Sequence, residues 1–233
     1  MENIINEKPA TELHGRTLFN TIFVDDSDIK NKTVLDVGCG YGWFELSAVK
    51  RGCSKIIGIE ISGEDLKTAK ENIDNDRIEF KTGSAIQLPF NDNEFDSIVS
   101  WEVIEHIPKN TENIMFREVK RVLKNNGVFY LSTPYNNFFS NIFDPAWWLI
   151  GHRHYKKNDL IKFAENNGFK IEKIVLNGGW WEILGINNLY IAKWIFRRAP
   201  FFEDLFNKKQ DEEYRQEKGF TNIFIKFRKK YHE

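Results

Sequence analysis

From Thr33 onward, short β-branched runs alternate with amphipathic segments that end in Gly or Asn, a rhythm that predicts βαβ units wound into a parallel sheet. "TVLDVG" predicts the first strand and "WFELSAVKRG" a helix closed by Gly52. "KIIGIE" is the second strand, followed by "GEDLKTAKENI", a helix with acids early and lysines late, as the helix dipole prefers. "IEFKTG" and "FDSIVS" are the third and fourth strands. "TENIMFREVKRVLKNNG" predicts a long helix capped at Asn126-Gly127, and "VFYLSTP" the fifth strand. "NDLIKFAENNG", with Asn158 as its N-cap, leads into the strand "FKIEKIVL". In "TNIFIKFRKK", Ile223, Ile225 and Phe227 alternate with polar neighbours, which predicts a half-exposed edge strand.

Two segments break this rhythm, "YNNFFSNIFDPAWWLIGHRHY" after the fifth strand and the stretch from Trp180 to Phe220 after the sixth. In the second, Trp180, Ile183, Leu184, Ile191, Trp194 and Ile195 fall on helical spacing, with Asn187 interrupting the stripe. Such a stripe is either a helix packed on its own domain or an apolar lid at a membrane surface, with Arg197-Arg198 at its edge. "FFEDLFNKKQDEEYRQEKGF" reads as a solvated helix of mixed charge without chemical duty.

A chain of 233 residues, 41% of them hydrophobic, buries one good core but is short for two domains. One domain over 1–233 is therefore expected, with 1–30 as an N-terminal helical extension and 134–157 and 180–220 as insertions on the substrate side. The 33 basic and 34 acidic side chains leave a net charge of -1, so nothing global favours a polyanion and there is no strong nucleic-acid signal. The two cysteines, Cys39 and Cys53, read as free thiols in a reducing compartment. No secretory pattern precedes Gly15, and no apolar run reaches roughly 18 residues. A cytoplasmic location is expected from these, with peripheral membrane contact through 180–198 as its variant. Oligomeric state is unspecified.

The chemistry concentrates in "VLDVGCGYG". A strand that ends in a glycine-rich turn opening a helix places a ligand outside the carboxyl ends of the strands, against free backbone N–H groups. A dinucleotide fingerprint would read G-x-G-x-x-G, whereas Gly38, Gly40 and Gly42 are spaced G-x-G-x-G. Asp36, two residues before Gly38, would repel a pyrophosphate but suits an ammonium group. Glu60, ending the second strand, stands where carboxylates take the hydroxyls of a ribose. An ammonium and a ribose together suggest S-adenosylmethionine; glycines serving only a tight turn are the plain alternative.

The residues "LDVGCGYG", "GIEIS", "GSAIQLPFNDNEFDSIVS", "EVIEHI" and "EVKRVLKNNGVFYLSTP" carry a resemblance. From about Thr33 to Leu176 the chain resembles the class I S-adenosylmethionine-dependent methyltransferases, and within them the group that includes the ubiquinone-pathway O-methyltransferases. The resemblance implies an α/β, Rossmann-like class I methyltransferase fold: a seven-stranded, mostly parallel sheet with an antiparallel last strand and helices on both faces. It places Asp36 and Gly38 near the amino-acid end of the cofactor, with Gly40 and the turn to Gly42 allowing close approach. Glu60 would hold the ribose and Ile61 would lie against the adenine. Where many relatives have Gly-Asp after the third strand, this chain has Gly83-Ser84, so adenine recognition would rest on Ser84 and on backbone groups of Ala85 and Ile86. Trp101 and Glu102 would border the methionine portion.

"WEVIEHIP" places Glu102, Glu105 and His106 at the end of a central strand. Two carboxylates and an imidazole within five residues suit a divalent cation such as Mg²⁺ or Mn²⁺. The grouping resembles the metal site of ubiquinone-pathway and small-RNA 2′-O-methyltransferases, where a further histidine arrives from the loop after the fifth strand; here that loop holds His152 and His154. Without a metal, His106 or His154 would serve as general base, with Glu105 beside them. The expected activity is methyl transfer from S-adenosylmethionine to an oxygen of a small-molecule, sugar or lipid-linked acceptor. The rivals are a non-catalytic S-adenosylmethionine-binding module and a nicotinamide-dependent oxidoreductase.

Overall fold

The computed structural model describes residues 9, 12–149 and 151–230. Of the expected N-terminal extension, residues 1–8, 10 and 11 lie outside the described residues. The remainder forms α1 (Gly15–Phe23) and α2 (Asp26–Ile29). There follow β1 (Thr33–Val37), α3 (Trp43–Lys50), β2 (Lys55–Glu60), α4 (Gly63–Asn72), β3 (Ile78–Thr82), β4 (Phe95–Trp101), α5 (Glu112–Val122) and β5 (Leu123–Pro134). The chain continues through α6 (Phe138–Phe143), α7 (Pro145–Leu149), α8 (Lys157–Asn166), β6 (Phe169–Asn177), α9 (Trp180–Tyr190), a π-helical turn (Ile191–Ile195), α10 (Glu203–Tyr214) and β7 (Asn222–Lys229).

The seven strands make one sheet in the order β3-β2-β1-β4-β5-β7-β6, with β7 antiparallel to both its neighbours. Adjacent residues enter opposite layers and both are buried. Leu35 and Phe129 join α5 and α8 in one core, through Phe116 and Leu160; Val34 and Tyr130 join α1, α2 and α3 in the other, through Phe19, Ile29 and Phe44. Covering both faces with helices removes any polar face from the central strands, which is why they read as continuous apolar runs. Cys39 and Cys53 are both free and buried. Among the described residues, no helix is long and apolar enough to cross a membrane.

Four sequence expectations change. β7 is not an edge strand: β6 pairs along its outer side, and Asn222 to Phe227 are buried. Its polar alternation reflects specific partners, since Lys226 pairs with Asp25 and Asp28 at 2.7 Å each. α5 stops at Val122, five residues early, because its last carbonyls are taken from outside; Asn93 N–H donates to Arg121 O at 2.9 Å and Glu94 N–H to Val122 O at 2.8 Å. Gly127 therefore caps no helix. It lies beside the irregularity in the β4–β5 ladder, where a Cβ would stand 2.9 Å from Asp96 O. The N-cap of α8 is Lys156, with Asn158 inside the first turn.

The fourth change concerns α10, whose carboxylates hold two other helices. Glu213 accepts from the N–H groups of Gly179, Trp181 and Glu182 at 2.7, 2.9 and 3.0 Å, so it satisfies the orphan donors at the start of α9. Asp211 accepts from Gly15 N–H at 2.6 Å and meets His14 at 2.9 Å, at the start of α1. Replacing Glu213 with Ala is expected to cost about 2 kcal/mol in urea denaturation, the worth of a charged acceptor serving several donors. Amide exchange should rise across 179–190 while 33–60 stays protected; unchanged exchange in α9 would show that α10 does not anchor it.

Candidate active site

The glycine loop begins where β1 meets β2 in register, Asp36 beside Gly58. Gly38, Gly40 and Gly42 all have left-handed backbones, with φ of 82°, 53° and 87°. Two of the three are required by the protein itself: a Cβ on Gly38 would stand 2.3 Å from Val103 Cγ2, and one on Gly42 would stand 2.6 Å from Ile73 and 2.8 Å from Phe80. Gly40 alone faces open space, with nothing of the protein within 4 Å. A ligand would have room to approach the backbone there.

The second acid is pre-positioned. Glu60 accepts from Gly40 N–H at 3.1 Å through one oxygen, and from Ile61 and Ser62 N–H at 2.7 and 3.0 Å through the other. These bonds fix the carboxylate at the rim while Ile61 stands 74% exposed beside it, an apolar surface with no protein partner. The other expected cofactor residues differ in what they present. Ser84 Oγ faces its own turn, accepting from Ile86 N–H at 3.4 Å, and Ala85 is buried in the core. Trp101 is a correction: it shares a face of β4 with Val99, and its ring is buried against Phe44 with centroids 5.6 Å apart rather than lining the crevice.

Glu102 follows β4 with φ of +57°, a strained conformation for a residue with a Cβ. Its carboxylate is held from two sides, by Arg16 Nη1 at 2.9 Å and by Ser132 Oγ at 2.6 Å. Burial opposes the charge on Arg16, but Glu102 and Glu182 outweigh it and raise its pKa. The turn that starts at Glu102 touches the glycine loop through Val103 and then presents Glu105 and His106.

Glu105 is buried; Thr133 Oγ1 donates to one of its oxygens at 2.9 Å, and the other has no partner. Burial first, then the nearby Glu102, push its pKa well above the ordinary carboxyl range. His106 Nε2 lies 3.0 Å from His152 Nε2, and burial with the neighbouring His152 lowers the His106 pKa to about 4. His152 Nδ1 meets Asp144 at 3.4 Å, and its Nε2 lies 3.8 Å from Glu105. Burial works against ionised Asp144, but the hydrogen bonds from His152 and His154 hold its pKa below the usual range.

The loop supplies His152 and His154, and the structure gives them different work. His154 is enclosed: its ring nitrogens meet Asn141 Oδ1 at 2.7 Å and Asp144 Oδ2 at 2.8 Å, with Trp147 against the ring. Both its nitrogens are engaged within the protein, whereas His152 turns Nε2 toward His106. Between them, Arg153 carries what the sequence reading missed. Its guanidinium donates to the carbonyls of Ile104, Glu105 and Ile107 and to Glu112 Oε1, at 2.7, 3.1, 2.5 and 2.7 Å. The only signal was its place between two histidines.

Glu102, His106, His152, His154 and Asp144 form the polar wall of a cavity of about 270 Å³. The rest of its lining is largely apolar and comes from the insertions, including Phe143, Ile183, Ile186 and Trp194. No residue of the glycine loop lines it, but Glu102 and His106 do, and they belong to the turn that touches that loop through Val103. Two donor sets in this wall bring their atoms within 4.8 Å of one another: Glu105, His106 and His152, and Asp144, His152 and His154.

Residues 35–131 match the methyltransferase domain family. The chain is 26% identical over 73% of its length to the ubiquinone biosynthesis O-methyltransferase of Pelagibacter ubique, and spans 77% of that protein. It is 31% identical over 66% of its length to the ribosomal protein L11 methyltransferase of Dictyoglomus thermophilum, of which it spans 44%. The crystal structure of an S-adenosylmethionine-dependent methyltransferase from Mesorhizobium loti matches 90% of this chain and 95% of that one with a TM-score of 0.62, at 16% identity, a likeness of fold. The matched domain and these relatives support a class I S-adenosylmethionine-dependent methyltransferase, and the solved structure shares its fold. One relative's name specifies oxygen and the other a ribosomal protein, so the likeness leaves the acceptor open.

The three glycines make separable predictions. Gly40→Ala should fold with a loss of about 1 kcal/mol, the cost of a left-handed alanine, yet lose at least tenfold in affinity for S-adenosylhomocysteine by calorimetry. Gly38→Ala should lower the melting temperature much further, because Val103 cannot move without shifting the 102–106 turn. Equal melting temperatures for the two variants would contradict this division.

Proposed function

We propose that the protein methylates a hydroxyl oxygen of an acceptor with a long apolar body, a lipid-linked molecule taken up from a membrane surface. The observation that carries this reading is the histidine pair, set with Glu102, Asp144, Arg16 and Lys193 in a cavity whose other lining is mainly apolar. Asp144 beside His152 Nδ1 favours the tautomer protonated there, which leaves Nε2 as an acceptor. That is the arrangement of a general base oriented by a carboxylate. An acceptor hydroxyl entering the cavity would take the place of His106 as the donor to His152. As its oxygen bonds to the methyl carbon and the carbon–sulfur bond breaks, its proton passes to His152. S-adenosylhomocysteine leaves neutral at sulfur, so no further charge needs stabilising, and alignment of the reactants supplies much of the rate.

A second reading, exclusive of His152 as base, is a divalent cation at Glu105, His106 and His152. The partnerless oxygen of Glu105, the low proton affinity of His106 and the short separation of the imidazoles suit a metal ion. Two imidazoles and one carboxylate favour a transition ion such as Mn²⁺ over Mg²⁺, which prefers oxygen ligands. Such an ion would lower the pKa of the acceptor hydroxyl.

Exposed apolar side chains support the choice of acceptor. Phe139 and Phe143 on α6 meet Trp180 on α9 with centroids 5.2 and 6.0 Å apart. Around them Phe138, Trp148, Leu184, Trp194 and Ile195 stand 43–70% exposed. Phe143 and Trp194 also line the cavity, so its apolar interior continues onto an apolar surface. Patches of this kind mark interaction sites, and aromatic residues beside Arg197 and Arg198 suit an anionic lipid interface.

Kinetics with a prenylated phenol and with the same phenol lacking its tail test the reading. The tailed acceptor should show at least tenfold higher kcat/KM, and His152→Ala should lower kcat about a hundredfold with the donor's KM unchanged. Equal kcat/KM for the two acceptors would remove the lipid reading, and full activity of the His152 variant would remove the base. Loss of activity to a chelator, restored by Mn²⁺, is expected for the cation.

A further inference from the structure

Beneath the glycine loop lies a pair of acids that methyl transfer as described does not use. Asp36 is 1% exposed and Glu45, on α3, is 0% exposed. Asp36 Oδ1 and both oxygens of Glu45 have no hydrogen-bond partner. Glu45 reaches across to the sheet at Gly58, where an added Cβ would stand 2.4 Å from its Oε1, and Gly58 is the register neighbour of Asp36. Two carboxylates side by side in a dry interior cannot both ionise without a compensating charge.

Among the described residues no cation acts on Asp36. The charges that reach it are those of Glu45 and of Glu60 at the end of β2, both negative, and burial keeps the Cys39 thiol beside the pair neutral. Among the described residues no ion pair involves Asp36 or Glu45. Burial leads the causes that raise both pKa values, that of Glu45 to about 8, and Glu45 further raises that of Asp36.

Resting on S-adenosylmethionine as the donor, we propose that Asp36 and Glu45 retain one proton between them while the crevice is empty and release it to solvent when the donor's ammonium docks beside Asp36. Glu45 is then a positioning residue that sets the charge with which Asp36 meets the cofactor. The sign follows from linkage. The empty form holds a proton that the bound form lacks, so affinity rises with pH by up to tenfold per unit below about pH 8 and levels off above it. For the cofactor-free protein the same proton has the opposite consequence. A carboxyl whose folded pKa is raised stabilises the fold at low pH, and that stability is lost as pH rises toward 8.

Calorimetry of S-adenosylhomocysteine at pH 7, in two buffers of different ionisation enthalpy, counts the proton. Release of close to one proton per cofactor is expected, and none for 5′-methylthioadenosine, which lacks the ammonium. In Glu45→Gln the amide can donate to the partnerless Asp36 oxygen, so binding should persist with release near zero and with a flat pH dependence. In the unaltered protein, an infrared band of a protonated carboxyl should disappear on binding, which tests the idea even if the variant fails to fold. Tight binding with no proton released overturns the proposal and leaves the donor intact, whereas failure of S-adenosylhomocysteine to bind overturns the donor assignment itself.

Discussion

The guanidinium of Arg153 is the interaction on which the catalytic arrangement depends. The turn after β4 ends four consecutive residues, Ile104 to Ile107, whose carbonyls find few partners in a helix or strand, and Arg153 takes three of them together with the carboxylate of Glu112. Tyr155 adds its hydroxyl to Ile104 O at 2.9 Å. These bonds hold the loop after β5 against the turn after β4, segments that are distant in sequence but adjacent in the sheet through β4–β5 pairing. Arg153 is one residue along from His152, which lies 3.0 Å from His106. The insertion is held further by Tyr155 N–H on Pro134 O at 3.0 Å and Ser140 Oγ on Phe220 O at 3.0 Å.

Around that bridge the protein concentrates buried carboxyls at the ends of its central strands. Asp36 and Glu105 have pKa values pushed upward by burial, while Asp144 is held down by two imidazoles. In the proposed chemistry Asp36 would be held ready to ionise against a cationic cofactor, and Asp144 would stay ionised beside a base. Opposed shifts at neighbouring acids divide labour between groups of the same chemical type. The apolar insertions contribute the dry surroundings that make such shifts large, and they enclose the acceptor space at the same time.

The parts of this arrangement that are local in the chain were legible in the sequence. Asp36, the glycines and Glu60 follow strand ends directly, so their placement needs only the strands and the turn; the same holds for Glu102, Glu105 and His106. What depends on contacts between distant segments was not legible. Choosing His152 over His154 requires knowing which of two residues on one loop points at His106, and that is decided by Arg153 and Asp144. Reading β7 as an edge strand failed because periodicity shows half-polarity without showing that Lys226 meets Asp25 and Asp28 across the sheet. Gly127 looked like a helix stop because glycine serves helix ends and close strand approaches alike, and only the β4–β5 register separates the two. Arg16 and Glu213 carried no signal, since their partners lie 86 and 31–34 residues away.

The proposed chemistry delivers the methyl group to oxygen at the histidine wall. Transfer of a ¹³C-labelled methyl from S-adenosylmethionine to an acceptor offering both a hydroxyl and an amine, followed by carbon NMR of the product, tests it most directly. A single methyl ether resonance is predicted, and a product labelled on nitrogen would contradict it.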